Sequence, residues 1–175
     1  NTTASALIHA IRRPTGTWRI AQPPFYRDTS SHESAVYSMV VAPDKRIHTV
    51  MNEDAFSLHY AVYDPATDQW EFWLHEERPY GAELTVDPNG NVYLAREVTV
   101  EGFNRVSLTR IRPDGRWDEP TLTAADKGGP TALMYDEVRG LTMVAGYTNI
   151  FTGLTTANAV AGGLRQTVTL PADLP

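Results

Sequence analysis

The sequence of 175 residues predicts an all-β fold that forms part of a β-propeller, and three observations support this prediction. Short segments alternate between apolar and polar residues, as half-buried strands do, whereas no helical periodicity extends over a useful length. Tight turns rich in Pro, Asp, Asn and Gly separate these segments. A Trp follows a similar turn three times, as Trp18, Trp70 and Trp117, so the chain repeats about every fifty residues.

Each of these Trp residues closes the turn of a predicted hairpin whose first strand alternates in polarity. The first strands are residues 6–11, 57–63 and 106–111. Because equal steps along the chain bring each Trp to the same place in its repeat, we expect the three side chains to pack between neighbouring sheets rather than to bind a ligand.

More apolar hairpins lie between the Trp-containing ones, at residues 38–50, 83–95 and 132–144. Their composition is typical of strands that are covered on both faces. A last outer hairpin turns at Gly162 and Gly163 and lacks the Trp. Four strands per repeat, with the inner pair more apolar than the outer pair, are typical of a propeller blade.

The predicted organisation is a single domain of three four-stranded blades and one outer half blade. The half blade is residues 5–21, and the blades are residues 35–74, 81–122 and 130–170. Two alternatives stay open: a β-sandwich of the same strand count, which does not require a Trp at regular steps, and an irregular four-bladed disc.

The turns at residues 14–18 and 113–117 resemble the Asp-box, or bacterial neuraminidase repeat, in which S-x-D-x-G-x-x-W joins the last two strands of a blade. The hairpin at 86–95 is similar to the inner turn of the same propellers. The opening Ser-x-Asp is absent from all three turns, and Asp68 replaces Gly in the second. The resemblance implies a sialidase-like propeller of six or seven blades and an extracellular or cell-surface location.

A ring of this kind cannot close with three and a half blades, because closed propellers have about four to eight. We therefore expect a second polypeptide, or an upstream segment of the same product, to supply the missing strands. Two copies of the chain would bring two outer halves together, and neither copy holds the inner strands that the other lacks. The partner would contribute on the order of 125–175 residues.

Composition excludes several classes of function. The net charge of -6 leaves no basic stripe for nucleic acid, and no apolar run approaches the length of a membrane span. The chain has no Cys, and its His residues lack metal-binding spacing, so we expect no metal and no cofactor. Asp87, Asn89 and Asn91 alternate as calcium ligands can, but D-P-N-G-N predicts a β-turn first.

The longer loops, between the second and third strands and between successive blades, share one end of the predicted propeller, and we place the functional site there. By residue type the catalytic candidates are Asp28, Glu53 and Tyr80, and the ligand-binding candidates are Arg27, Arg78, Glu77 and Tyr147. The resemblance implies Arg residues that clamp a substrate carboxylate, a Tyr–Glu pair as nucleophile and base, and an Asp acid/base.

Two functions remain open at this point. The first is a glycan- or protein-binding module, which we favour because the repeat predicts a fold without a catalytic motif. The second is part of a sialidase-like glycoside hydrolase or polysaccharide lyase. The acidic pairs Glu53–Asp54 and Glu76–Glu77 are also consistent with ordinary solvated loop charges.

Overall fold

The computed structural model describes residues 9–21, 35–52, 57–77, 81–122, 130–145, 149–154 and 164–167. All regular secondary structure in these residues is β, in fourteen strands. The prediction of an all-β chain is therefore confirmed.

The strands form one two-stranded hairpin and three four-stranded antiparallel sheets, each sheet with its strands in chain order. The N-terminal hairpin is β1 (His9–Arg12) and β2 (Trp18–Ala21). Sheet I is β3 (Ala35–Val41), β4 (Ile47–Asn52), β5 (Ser57–Asp64) and β6 (Gln69–Glu77). Sheet II is β7 (Ala82–Val86), β8 (Val92–Val100), β9 (Phe103–Ile111) and β10 (Thr121–Leu122). Sheet III is β11 (Pro130–Asp136), β12 (Gly140–Ala145), β13 (Asn149–Leu154) and β14 (Leu164–Thr167).

The turns that join the first two strands of sheets I and II adopt the same form. Each is closed by a backbone hydrogen bond across five residues, from Ala42 N–H to the Arg46 carbonyl and from Asp87 N–H to the Asn91 carbonyl. The left-handed residue that reverses the chain is Lys45 in the first turn. In the second it is Gly90, whose Cα faces the prolines of two other turns. These turns therefore lie together at one end of the sheets, which we call the turn end.

The turns of the outer hairpins also need a residue with positive φ. Gly16 and Gly115 take this role in the N-terminal hairpin and in sheet II, with φ of 83° and 82°. Asp68 takes it in sheet I, with φ of 59°. Aspartate is one of the few residues with a side chain that tolerates the left-handed region.

Two apolar clusters hold the three sheets together. Between sheets I and II the cluster includes Leu58 and Tyr60 from the first and Leu94 from the second. Between sheets II and III it includes Leu108 and Met143. Sheet II is thus covered on both faces, which explains the apolar character of its strands.

The first strands of the three sheets contact one another in order, β3 with β7 and β7 with β11. A side-chain hydroxyl supports each contact: Leu84 N–H donates to Ser38 Oγ over 3.1 Å, and Tyr135 N–H donates to Thr85 Oγ1 over 3.1 Å. The sheets therefore follow one another through their first strands.

The N-terminal hairpin packs on the outer half of sheet I. The His9 ring lies edge-on to Tyr63 and Trp70, with ring centroids 4.4 Å and 5.0 Å apart. Arg19 forms an ion pair with Asp68, and the Tyr63 hydroxyl donates to the same carboxylate over 2.7 Å. The hairpin is thereby fixed to β5 and β6.

Trp117 repeats this packing one sheet further on, because its ring is edge-on to Tyr60 at 5.3 Å. Tyr60 and His9 occupy the same position, five residues ahead of the proline in their outer turns. The predicted role of Trp70 and Trp117 in packing between sheets is confirmed. Trp18 differs, since 62% of its surface is exposed.

Two local predictions need correction. The longer loop predicted between the second and third strands of the middle blade is a two-residue turn, because Glu101 and Gly102 both adopt positive φ, as in a type I′ hairpin, and the strands run up to them. The predicted connection after sheet I begins later than expected, since β6 continues to Glu77.

Candidate functional site

The site predicted from the loops falls almost entirely outside the described residues. Glu77 is the exception, and only its backbone is described, paired with Ser57 at the end of β6. The other six candidates, Arg27, Asp28, Glu53, Arg78, Tyr80 and Tyr147, have no described position. Their assignment as catalytic and ligand-binding residues stays a prediction.

The loop side of sheet II nevertheless carries charged residues that are withdrawn from solvent. Arg96 on β8 pairs with Ser107 on β9, and Arg105 pairs with Val98. Because side chains alternate along a strand, both arginines lie on the face that Leu94 turns toward sheet I. The two cations are therefore diagonal neighbours on one face.

Both of these arginines are half-buried. Burial lowers the pKa of Arg96 below its ordinary value. The Nε atom of Arg105 is inaccessible to solvent and has no hydrogen-bond partner among the described residues. Glu97, next to Arg96 in the chain, is also buried and turns to the opposite face of the sheet.

A second polar feature is a small pocket at the turn end, between sheets I and II. Its volume is about 10 Å³, enough for roughly one water molecule. The lining residues include Arg46, His48, Tyr60, Arg112 and Trp117.

His48 and Tyr60 form the buried part of this pocket. His48 Nδ1 lies 2.5 Å from the Tyr60 hydroxyl in a hydrogen bond, and the two residues are 6% and 0% exposed. Burial, followed by the positive charge of Arg46, lowers the pKa of His48 to about 4. Burial also raises the pKa of Tyr60. At neutral pH both side chains are therefore uncharged.

The arginines beside the pocket are already paired. Arg46 Nε donates to Asp44 over 2.6 Å, and its Nη2 donates to the Pro113 carbonyl over 2.9 Å. Arg112 Nε donates to Asp118 over 2.8 Å, and Arg110 donates to the same carboxylate. These guanidinium groups stabilise the turns and are not left to clamp a ligand.

The chemistry available in this pocket is limited. Glycoside hydrolysis needs two carboxyl groups about 5–10 Å apart across a sugar, and a space for one water molecule cannot admit a sugar ring. The carboxylates nearby accept hydrogen bonds from arginines and are not paired with each other. The pocket is best explained as a polar packing site that can hold one small molecule such as water.

The D-P-N-G-N segment forms the β-turn that its sequence predicts. The Asp87 carboxylate accepts hydrogen bonds from the N–H groups of Asn89 and Asn91, from the Asn91 amide and from the Tyr93 hydroxyl. The residue is 5% exposed, and these donors occupy the oxygens that a cation would need. Within the described part of the chain, no three His, Asp or Glu side chains come together as potential metal ligands.

Neither the His48–Tyr60 pair nor the Arg96–Arg105 pair was predicted from the sequence. Each pair depends on the register between two strands, in which Val50 pairs with Tyr60 and Arg96 with Ser107. The hairpins were predicted correctly, but the length of the turn between the strands fixes which side chains become diagonal neighbours. A two-residue turn assigned at Glu101–Gly102 would have predicted the second pair.

No protein-family model matches this chain, and a search of curated proteins finds no match either. In the described residues no helix is long and apolar enough to cross a membrane.

Proposed function

We propose that this chain is a portion of a sialidase-like β-propeller that serves as a binding module for a glycan or a protein. Support for the propeller comes from the three up-and-down sheets whose first strands contact in order. The Trp residues that pack edge-on between successive sheets at the same repeat position agree with it. Sheets that succeed one another through their inner strands are what an arrangement around an axis requires.

The observation that favours binding is the half-buried arginine pair on the loop side of sheet II. Arg96 and Arg105 are diagonal neighbours on one face, and the buried Nε atom of Arg105 has no hydrogen-bond partner among the described residues. An acidic ligand, such as a carboxylate-bearing glycan or an acidic segment of a protein, would accept a charge-assisted hydrogen bond from Arg105. A glycan ligand is in keeping with an extracellular or cell-surface location.

The module is proposed to act as part of a larger assembly. In the described residues the N-terminal hairpin has two strands where the other sheets have four, so another chain or an upstream segment would supply the strands that complete it. The site on the loop face would then be built from both polypeptide segments.

A glycan-array measurement on the assembled protein, with a sialidase-type fluorogenic substrate assayed in parallel, tests the proposed function. We expect retention of acidic glycans without turnover of the substrate. Arg105→Gln should weaken retention about tenfold or more, since one charge-assisted contact contributes roughly 1.5–3 kcal/mol.

The matched control for this variant is Arg116→Gln, which removes a highly exposed arginine at the turn end. It should leave binding unchanged. Steady turnover of the fluorogenic substrate would instead support the hydrolase, and equal losses in the two variants would show that binding depends only on net charge.

A further inference from the structure

The first strands of the three sheets contain one position that is directly comparable. Met39, Leu84 and Leu133 each lie three residues before the inner turn begins. Their partners across the hairpin are Thr49, Leu94 and Met143, which are equivalent in the same way. The three apolar side chains therefore face the same direction relative to their own sheets.

Burial at this position is nevertheless very different. Leu84 is 3% exposed and Leu133 is 8% exposed, because each packs against the sheet that precedes it in the chain. Met39 is 62% exposed. Sheet I is thus uncovered at the place where sheets II and III are covered.

On the face of sheet I that the N-terminal hairpin contacts, the exposed fraction of the side chains increases from the outer strands toward β3. In the row Val41–Ile47–Tyr63, the outer residue Tyr63 lies under the hairpin and is 3% exposed, whereas the inner residue Val41 is 55% exposed. The two-stranded hairpin covers the outer strands and stops short of β3.

The backbone edge of β1, on the side of the hairpin away from β2, is also unpaired in the described residues. Among the residues that the structure describes, β1 pairs only with β2, whereas the third strand of each four-stranded sheet pairs with a second strand. An open strand edge can pair with a further strand, and the exposed apolar strand beside it can be covered by the side chains of the added strands.

We infer that the exposed face of Met39 and Val41, together with the open edge of β1, is the docking surface for an antiparallel β-hairpin from a polypeptide outside these 175 residues. Its second strand pairs with β1, and its apolar side chains cover Met39. This inference rests on the proposed function, in which added strands complete the N-terminal hairpin.

The chemistry of the docking hairpin follows from the equivalent contact inside the chain. Leu133 belongs to a cluster with Ala95, and Tyr93 packs against that cluster from the same hairpin, β7–β8. The occupant therefore resembles β7–β8, with an aromatic and a small apolar residue directed at β3. A second copy of this chain is disfavoured, because it presents the same two-stranded end.

A fusion tests the inference with the full chain. A copy of residues 82–102, which spans β7, β8 and their following turn, is placed ahead of Asn1. In this copy Leu84→Thr and Leu94→Thr keep the outward face polar. The four methionines of the original chain then report on docking through their rates of oxidation by peroxide.

Without the fused hairpin, Met39 and Met134 should oxidise quickly, since they are 62% and 53% exposed, and Met51 and Met143 slowly, since they are 3% and 0% exposed. With it, Met39 oxidation should slow about tenfold, toward the rate of a buried methionine. Met134, on β11, is the internal control and should keep its rate.

Two variants of the fused chain complete the test. Met39→Asp should abolish the gain in Tm that the fused hairpin gives, whereas Met134→Asp should leave that gain unchanged. If Met39 is still oxidised as fast as Met134 in the fused chain, the docking surface is wrong. Acidic-glycan binding by that same chain would show that the proposed function survives this failure.

Discussion

Asp68 illustrates how a single side chain can replace a glycine and add a contact. Its φ of 59° lies in the region that glycine takes in the corresponding turns, and its carboxylate accepts hydrogen bonds from Arg19 and Tyr63. The hydrogen bond from Arg19, followed by that from Tyr63, lowers the pKa of Asp68 below its ordinary value. Asp68, the residue that departs from the repeat in the sequence, therefore links the N-terminal hairpin to sheet I.

His48 predicts how stability depends on pH. The unfolded chain binds a proton at this residue below pH 6.5, whereas the folded chain does so only below about 4. The contribution of His48 to stability is therefore complete above pH 6.5 and is lost as the pH falls toward 4. At pH 5 the loss should be about 2 kcal/mol of unfolding free energy.

Urea unfolding of His48→Gln between pH 7 and pH 5 measures this effect. The variant should lose most of the pH dependence that the unmodified chain shows in this range. His9→Gln is the control, because burial also lowers the pKa of His9 but the residue is only half-buried. An unchanged slope in His48→Gln would contradict the buried, neutral state of this histidine.

At the scale of elements, the inner turn of sheet II depends on Asp87. Its carboxylate accepts three hydrogen bonds from Asn89 and Asn91 in the turn and a fourth from Tyr93 on β8, and the side chain is buried. Asp87→Ala leaves those donors without their acceptor, and we expect a loss of about 2 kcal/mol in unfolding free energy. Denaturant titration at pH 7 measures it.

Asp136 provides the control for this turn variant. It occupies the equivalent position in sheet III and, within the part of the chain that the structure describes, accepts two backbone hydrogen bonds, from Val138 and Arg139. Asp136→Ala should cost less than Asp87→Ala. If the two losses are equal, then the network around Asp87 adds nothing beyond an ordinary turn.

The packing of Trp residues between sheets predicts a contrast between two equivalent positions. Trp117 is half-buried and edge-on to Tyr60, so Trp117→Ala should cost about 2–3 kcal/mol, somewhat less than truncation of a fully buried Trp. Trp18 is mostly exposed, and Trp18→Ala should change stability by no more than about 0.5 kcal/mol. Thermal unfolding of both variants gives the comparison, and a large loss for Trp18→Ala would reveal a contact that its exposure does not show.

Strands and turns were largely predictable because alternation and turn residues are local properties of the sequence. The face of the sheet on which each side chain lies was harder to predict. Trp70 and Trp73 are three residues apart, a spacing that places two side chains on opposite faces of a regular strand. However, β6 contains a bulge in which Leu74 pairs with Tyr60 and Phe72 with Ala61, leaving Trp73 as the extra residue. One inserted residue breaks the alternation on which such an assignment depends. The candidate site was less predictable still, since it depends on contacts between loops far apart in sequence.

At the scale of the whole molecule, the three sheets differ in how much of their surface the chain itself covers. Sheet II is packed on both faces, by sheets I and III. The N-terminal hairpin has two short strands and contacts sheet I through its outer residues. Isolated two-stranded hairpins are marginally stable, so this element depends on that contact.

Native-state hydrogen exchange should show that local stability is higher in sheet II than in the N-terminal hairpin. Amide protons of Leu94 and Leu108, in the centre of sheet II, should exchange only through global unfolding, since both side chains are fully buried and neighbouring sheets cover both faces. Those of Ile11 and Arg19, which face each other in the N-terminal hairpin, should exchange through local opening, at rates that low concentrations of denaturant do not change. Exchange followed by NMR at several urea concentrations distinguishes the two mechanisms. If the hairpin amides are as protected as those of sheet II, the hairpin opens together with the sheets and does not need added strands to hold it in place.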